Sequence, residues 1–200
     1  MPSSARTGPF TYHQLTIDRW EDFERLFGER GACGGCWCMW WRVQAKEFEK
    51  NKGSGNRRAM KRIVDSGTVP GILAYSGGEP VGWCSVAPRG DFPRLERSRI
   101  LAPVDDRPVW SIVCLFVAKG WRRRGVSAGL VGAAVKYARS MGGTIAEAYP
   151  VDPGDTPMPD TFAFHGLAST FVKAGFAEAA RRSKTRPVMS KTLKRERQKR

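Results

Sequence analysis

Val117-Ala118-Lys119-Gly120-Trp121-Arg122-Arg123-Arg124-Gly125-Val126-Ser127 changes character twice within eleven residues, and its two flanks decide the fold class. Upstream, Val109 to Val117 is almost wholly apolar, the pattern of a strand covered on both faces. Downstream, Leu130, Val131, Ala134, Val135, Ala138 and Met141 recur at the spacing of one helix face, and Gly142 and Gly143 end it. Thr144 to Tyr149 then reads as another strand. Residues 109–149 therefore form a strand–loop–helix–strand unit.

Working outward from that unit, Phe10 to Ile17 alternates as a first strand. Asp18 and Glu21 make a helix-capping pair ahead of the stripe Trp20, Phe23, Leu26 and Phe27. Gly31–Gly35 ends that helix, and the aromatic and cysteine run Cys36 to Trp41 carries no periodicity that assigns it an element. Arg57 to Val64 follows as a short helix after the polar loop Lys52 to Gly55. Gly71 to Tyr75 and Val81 to Val86 are two strands joined by the turn Ser76–Pro80. Residues 88–108, rich in Pro, Arg and Asp, form an excursion before the central strand. Past it, 150–160 is loop, Phe164, Leu167, Ala168 and Phe171 mark a late helix closed by Gly175, and strands are expected near 176–181 and 186–193. The prediction is one α/β domain over residues 1–193, with a mixed, mostly antiparallel central sheet flanked by helices, and a basic tail over 194–200.

Composition narrows the function classes. The 200 residues carry 34 Lys and Arg against 19 Asp and Glu, a net charge of +15. Nine of those net charges fall in residues 181–200, which hold ten basic residues and the single acid Glu196. Such an arm suits nucleic acid or another acidic surface, but a solvated strand followed by a frayed end is the expected reading, and no nucleic-acid partner is expected. No run approaches the roughly 20 apolar residues of a membrane span, and Met1 to Pro9 lacks the apolar core of a secretory signal. A cytoplasmic protein with reduced thiols is expected, because the five cysteines are odd in number.

The loop at 118–127 has a chemistry of its own. Amides in the first turn of a helix lack intrahelical partners, and the helix dipole adds partial positive charge there. Gly125 removes a Cβ from the path of an approaching phosphate, and three arginines attract it at longer range.

At these residues the chain resembles the GCN5-related N-acetyltransferase (GNAT) family. That family's signature is Arg or Gln, two residues, Gly, one residue, then Gly or Ala, directly after its fourth strand. Arg122, Gly125 and Ser127 occupy those places, with Ser127 a small departure. The resemblance implies acetyl-coenzyme A as co-substrate, with its pyrophosphate on the amides of Arg122, Arg123, Arg124, Gly125, Val126 and Ser127. It also implies that the backbone of Leu115, Phe116 and Val117 pairs with the pantetheine arm like an added strand. The order of elements agrees along most of residues 10–193. Phe171-Val172-Lys173-Ala174-Gly175-Phe176 resembles the family's late helix, where a Tyr often stands at the place of Phe171 and protonates the departing thiolate. Phe has no such proton.

Acetyl transfer to an amine needs a base, a stabilised carbonyl oxygen and a leaving thiolate. Glu147 and Tyr149, two apart on one strand face, are the candidate catalytic pair: Glu147 to relieve the amine of its proton, Tyr149 to protonate sulfur. Both residue types also serve as an ion-paired Glu and a packed Tyr. His165 is a further titrating candidate. Cys33, Cys36 and Cys38 have the spacing of zinc ligands but no evident fourth, so no metal is expected, and Cys114 reads as packing inside its strand. Trp37, Trp40 and Trp41 either line an acceptor pocket or fill core. The acceptor is expected to be a small-molecule amine, with a protein amine second, no membrane partner and self-pairing left open. A basic nucleic-acid-associated protein and an inactive acyl-coenzyme A sensor are the rival readings.

Overall fold

The structure is a computed structural model, and it describes residues 9–154 and 164–194. The expected loop over 155–160 and the tail beyond Lys194 lie outside the described residues.

Alternating side chains and Gly-rich turns build an antiparallel run first. β1 (Thr11–Gln14) pairs with β2 (Gly71–Ser76), β2 with β3 (Glu79–Pro88), and β3 with β4 (Trp110–Val117). β4 then pairs with β5 (Ile145–Ala148) in the parallel sense, the geometry a crossover helix permits. β7 (Pro187–Thr192) lies antiparallel between β5 and β6 (Ala177–Arg181). The seven strands run β1-β2-β3-β4-β5-β7-β6, a mixed and mostly antiparallel sheet as the sequence predicts.

Helices cover both faces. α5 (Val126–Ser140) crosses one, packing Leu130, Val131, Ala134 and Ala138 on Ile72, Val81, Val86, Ile112 and Leu115. Met141, assigned to that stripe, is exposed past the helix end. α6 (Ala168–Lys173) adds Phe171 to the same cluster. On the other face, α1 (Trp20–Phe27) and α3 (Ser54–Asp65) hold Trp20, Phe23, Phe27, Met60 and Val64 against Leu73, Tyr75 and Trp83. A third cluster, Phe92, Leu95, Leu101, Val113, Tyr149 and Val188, lies where the chain between β3 and β4 folds back.

Sequence patterning missed two short helices. α2 (Ala45–Lys50) buries only Phe48, and α4 (Pro93–Glu96) lies inside the excursion, too short for periodicity to show. α6 begins at Ala168, four residues after the expected start, because Gly166 stands at φ 78°, outside helical space. Among the described residues no helix is long and apolar enough to cross a membrane.

Two glycines test this packing. A Cβ on Gly82 in β3 would stand 2.9 Å from Val126 Cγ1 and 3.0 Å from Leu130 Cδ1, so Gly82 sets how closely α5 approaches the sheet. Gly132, on the exposed side of α5, has open space around the same position. Urea unfolding of Gly82→Val should show a loss of about 1–3 kcal/mol from overpacking. Gly132→Ala should gain about 0.5–1 kcal/mol from helix propensity.

Candidate active site

β4 is paired with β3 along its whole length, but with β5 only at Trp110, Ser111 and Ile112. Beyond Ile112 and Ala148 the two strands part. From Val113 to Val117 β4 therefore has no strand beside it on that side, and its backbone groups need other partners. Two carbonyls are met by side chains: Val113 O lies 3.3 Å from His165 Nδ1, and Val117 O accepts from Arg122 Nε at 3.2 Å. β4 also bulges here. Ser85 stands opposite Cys114 and Val86 opposite Ile112, so Val113 is an extra residue in the strand.

A buried polar network pins the point of separation. Tyr149 Oη donates to Glu147 Oε2 at 2.9 Å, accepts from Arg89 Nη1 at 2.8 Å, and lies 2.8 Å from Ser111 Oγ. Arg89 also donates from Nε to Glu96 Oε1 (2.7 Å) and from Nη2 to the carbonyls of Leu95 and Leu101 (3.2 and 2.9 Å), and its Nη1 lies 3.6 Å from Glu147 Oε2. Tyr149 is 1% exposed and Glu147 4%. Burial raises the Glu147 carboxyl above its usual range, against the pull of the Tyr149 hydroxyl and the Arg89 guanidinium. Burial raises the Tyr149 phenol too, helped by the Glu147 charge. The structure does bring Glu147 and Tyr149 together on one side of the sheet. It also encloses them, and the phenol oxygen has spent its proton and both lone pairs. The network lies where the β4–β5 pairing ends.

The loop predicted to take phosphate leaves β4 at its open end. Arg123 and Gly125 both take left-handed backbone, at φ 60° and 84°. Gly125 is the residue before α5, whose first intrahelical bond runs from Gly129 N to Gly125 O at 3.1 Å. The amides of Val126, Ser127 and Ala128 thus point out of the helix without an intrahelical acceptor. A groove between β1 and α5, lined by Phe10, Tyr12, Ile72, Ala133 and Tyr137, shares no residue with this opening.

His165, expected early in the late helix, precedes it and is buried, its ring 5.4 Å from that of Trp41. Phe171 is fully buried against Phe176. Cys33 is exposed and Cys38 is buried, and among the described residues no group of three or more His, Cys, Asp or Glu side chains is placed to hold a metal ion. Cys114 is partly exposed rather than enclosed in its strand, since it lies where the N-terminal aromatic cluster meets the third one. Sequence reasoning missed Arg89 altogether; its partner Tyr149 is 60 residues away in the chain.

Burial and the charge of Arg186 push the His165 imidazole down to about 3. A histidine held neutral in the fold takes up its proton more readily once unfolded, so its stabilisation is full above about pH 6.5 and is lost on acidification. Urea titrations from pH 7.5 to 5 should lose up to about 1.4 kcal/mol per pH unit below that point from this group. In His165→Gln that part of the slope should vanish.

Comparison with known proteins now bears on this geometry. A model of the acetyltransferase (GNAT) family matches residues 37–163. An N-acetyltransferase from Staphylococcus aureus Mu50 shares the fold at 9% identity and a TM-score of 0.55, over 94% of this chain and all of that one (100%). A protein described as histone acetyltransferase HPA2 and related acetyltransferase, from Corynebacterium glutamicum ATCC 13032, aligns at 17% identity and 0.54, over 94% and 98%. PaiA N-acetyltransferase from Thermoplasma acidophilum, solved in complex with coenzyme A, aligns at 13% and 0.51, over 92% and 99%. No curated protein matches in sequence. The family match spans well over half of the chain and falls on the bulged strand, the basic loop and the helix it opens, so the chain belongs to the GNAT family of acetyltransferases.

Proposed function

We propose that the protein transfers an acetyl group from acetyl-coenzyme A to an amine on a small molecule, by direct attack of the amine on the thioester. The observation that carries this reading is the conjunction at one end of β4: an unpaired strand edge that runs straight into a basic loop and the open amides of a fifteen-residue helix. In this reading the amides of Arg122, Arg123, Arg124, Gly125, Val126 and Ser127 hold the pyrophosphate. Gly125 and Arg123 turn the loop so that successive N–H groups face one way. The free edge of Leu115, Phe116 and Val117 offers backbone donors and acceptors to the amide groups of the pantetheine arm, and the same edge supplies an amide for the carbonyl oxygen. The T. acidophilum neighbour, bound to coenzyme A, lends support by fold.

Within the site, Glu147 and Tyr149 act with Arg89 and Ser111 to hold β4 and β5 apart. Phe171 supplies packing and no proton, so the departing thiolate is protonated from water. We take residues 1–193 as one catalytic domain, with 194–200 a basic tail outside the chemistry.

Calorimetry with acetyl-coenzyme A tests the loop. Gly125→Asp places a negative charge beside the expected phosphates and should weaken binding about ten- to a hundredfold, or roughly 1.4–2.8 kcal/mol. Gly125→Asn carries the same backbone demand without the charge and should lose less. Arg122→Ala should cost only a few-fold, since the backbone donors remain. Affinity unchanged in Gly125→Asp would refute the coenzyme assignment.

A further inference from the structure

Hydrogen-bond donors gather around the gap between β4 and β5 without acceptors to match them. The chain returns to that gap ahead of α6: Val151 N donates to Gly166 O at 2.9 Å, and a Cβ on Gly166 would stand 2.8 Å from Leu115 Cδ1. His165 is thereby held beside β4, its Nδ1 3.3 Å from Val113 O. A carbonyl oxygen only accepts, so Nδ1 carries the proton. The Trp41 ring lies 5.4 Å from that of His165 and packs on the cluster that contains Val113 and Tyr149. Its Nε1 is buried without a hydrogen-bond partner, and an indole N–H can only donate. Arg186, the residue before β7, donates from Nη2 to Tyr149 O at 3.1 Å, and its Nε is also buried without a partner.

Arg186 is the cation of this group, and it lacks a counter-charge. Neighbouring arginines are engaged: Arg89 with Glu96, Arg181 with Glu178 and Asp152, and Arg182 with the carbonyls of Ala102 and Pro103. Arg186 makes no salt bridge among the described residues. Burial alone lowers its guanidinium, with no carboxylate opposing that shift. His165 supplies no negative charge, since burial and Arg186 keep its ring neutral. A half-buried cation and an indole N–H without acceptors together call for an anion from outside the chain.

We propose that the acceptor is an α-amino acid, its carboxylate taken by the Arg186 guanidinium with the Trp41 indole N–H as second donor, and its amine directed to the open edge of β4. The inference rests on the acyl-transfer reading above and names the substrate class that reading leaves open. Arg186 and His165 are anchored to the backbone of Tyr149 and Val113, the first residues of β5 and β4 beyond their pairing. A carboxylate held at that point suits an amine one carbon away. The amine nitrogen bonds to the acetyl carbon as the carbon–sulfur bond breaks. One amine proton goes to water, and the coenzyme A thiolate takes one from water. The carboxylate is unchanged and serves only to position the amine.

The test uses the full chain and acetyl-coenzyme A with two acceptor mixtures, read by mass spectrometry of α-acetylated products. One mixture holds the standard L-amino acids without cysteine, the other their C-terminal amides, at equal concentrations of unprotonated amine. At least one acid should be acetylated about ten- to a hundredfold faster than its amide, the worth of a hydrogen-bonded charge. Arg186→Gln should bring that acid down toward its amide, mainly through KM. Arg186→Lys, which keeps the charge but not the fork, should retain part of the preference. Trp41→Phe keeps a ring, removes the N–H and should shrink the preference a few-fold. The proposal is overturned by a wild type that acetylates amides as fast as acids, or neither mixture. It is equally overturned if the acid keeps its wild-type KM in Arg186→Gln. Calorimetry separates the two readings. Wild type that binds acetyl-coenzyme A but shows no preference for acids removes only the amino-acid acceptor, whereas failure to bind acetyl-coenzyme A removes the acyl-transfer reading itself.

Discussion

A strand cannot leave its backbone unpaired inside a protein, and β4 is asked to do so for half its length. On the β3 side every residue from Trp110 to Val117 except the bulged Val113 has a register partner; on the β5 side the pairing stops at Ile112. Each remaining feature of the site answers that demand. Arg89, Tyr149, Glu147 and Ser111 form a satisfied network where the strands part, which keeps the opening from closing into a regular ladder. His165 and Arg122 meet two of the exposed carbonyls from opposite ends. Between them a stretch of sheet edge is left without a neighbouring strand.

The two faces of β4 divide the work. Toward α5 the side chains are Ile112, Leu115 and Val117, packed on a helix made of small residues so that its first turn sits close to the end of the strand. Away from α5 Cys114 packs against the N-terminal aromatic cluster and, with Val113, against the third one. One inserted residue in one strand creates both environments.

How much of this could be read from sequence depended on whether a residue's partner was close along the chain. The unit from Val109 to Tyr149 was legible because an apolar run, a basic glycine loop and a helical stripe follow one another without interruption, and the sheet class followed from it. α2 and α4 were not, because six and four residues show no period. Cys36 to Trp41 resisted assignment because Trp37 and Cys38 adopt left-handed backbone that nothing in their side chains announces. Glu147 and Tyr149 were singled out by spacing, which put them on one side of the sheet but could not reveal that Arg89 would enclose them. Cys114 read as packing because its strand is apolar, and only the register shift opposite Ser85 and Val86 brings it partly into the open. Side-chain type and local spacing carried the scaffold; the contacts across long separations carried the chemistry.

The strand order leaves β1 and β6 as the outermost strands, and open sheet margins invite other chains to add on. Both are kept short, four and five residues. On β6 Arg181 is held by Glu178 and by Asp152 at 2.6 and 2.8 Å, which fixes a charged cluster along that rim. Charge in that position disfavours a neighbouring copy docking strand to strand. The molecule thus leaves one sheet edge open at its centre and guards a margin where strand-to-strand docking would mean aggregation.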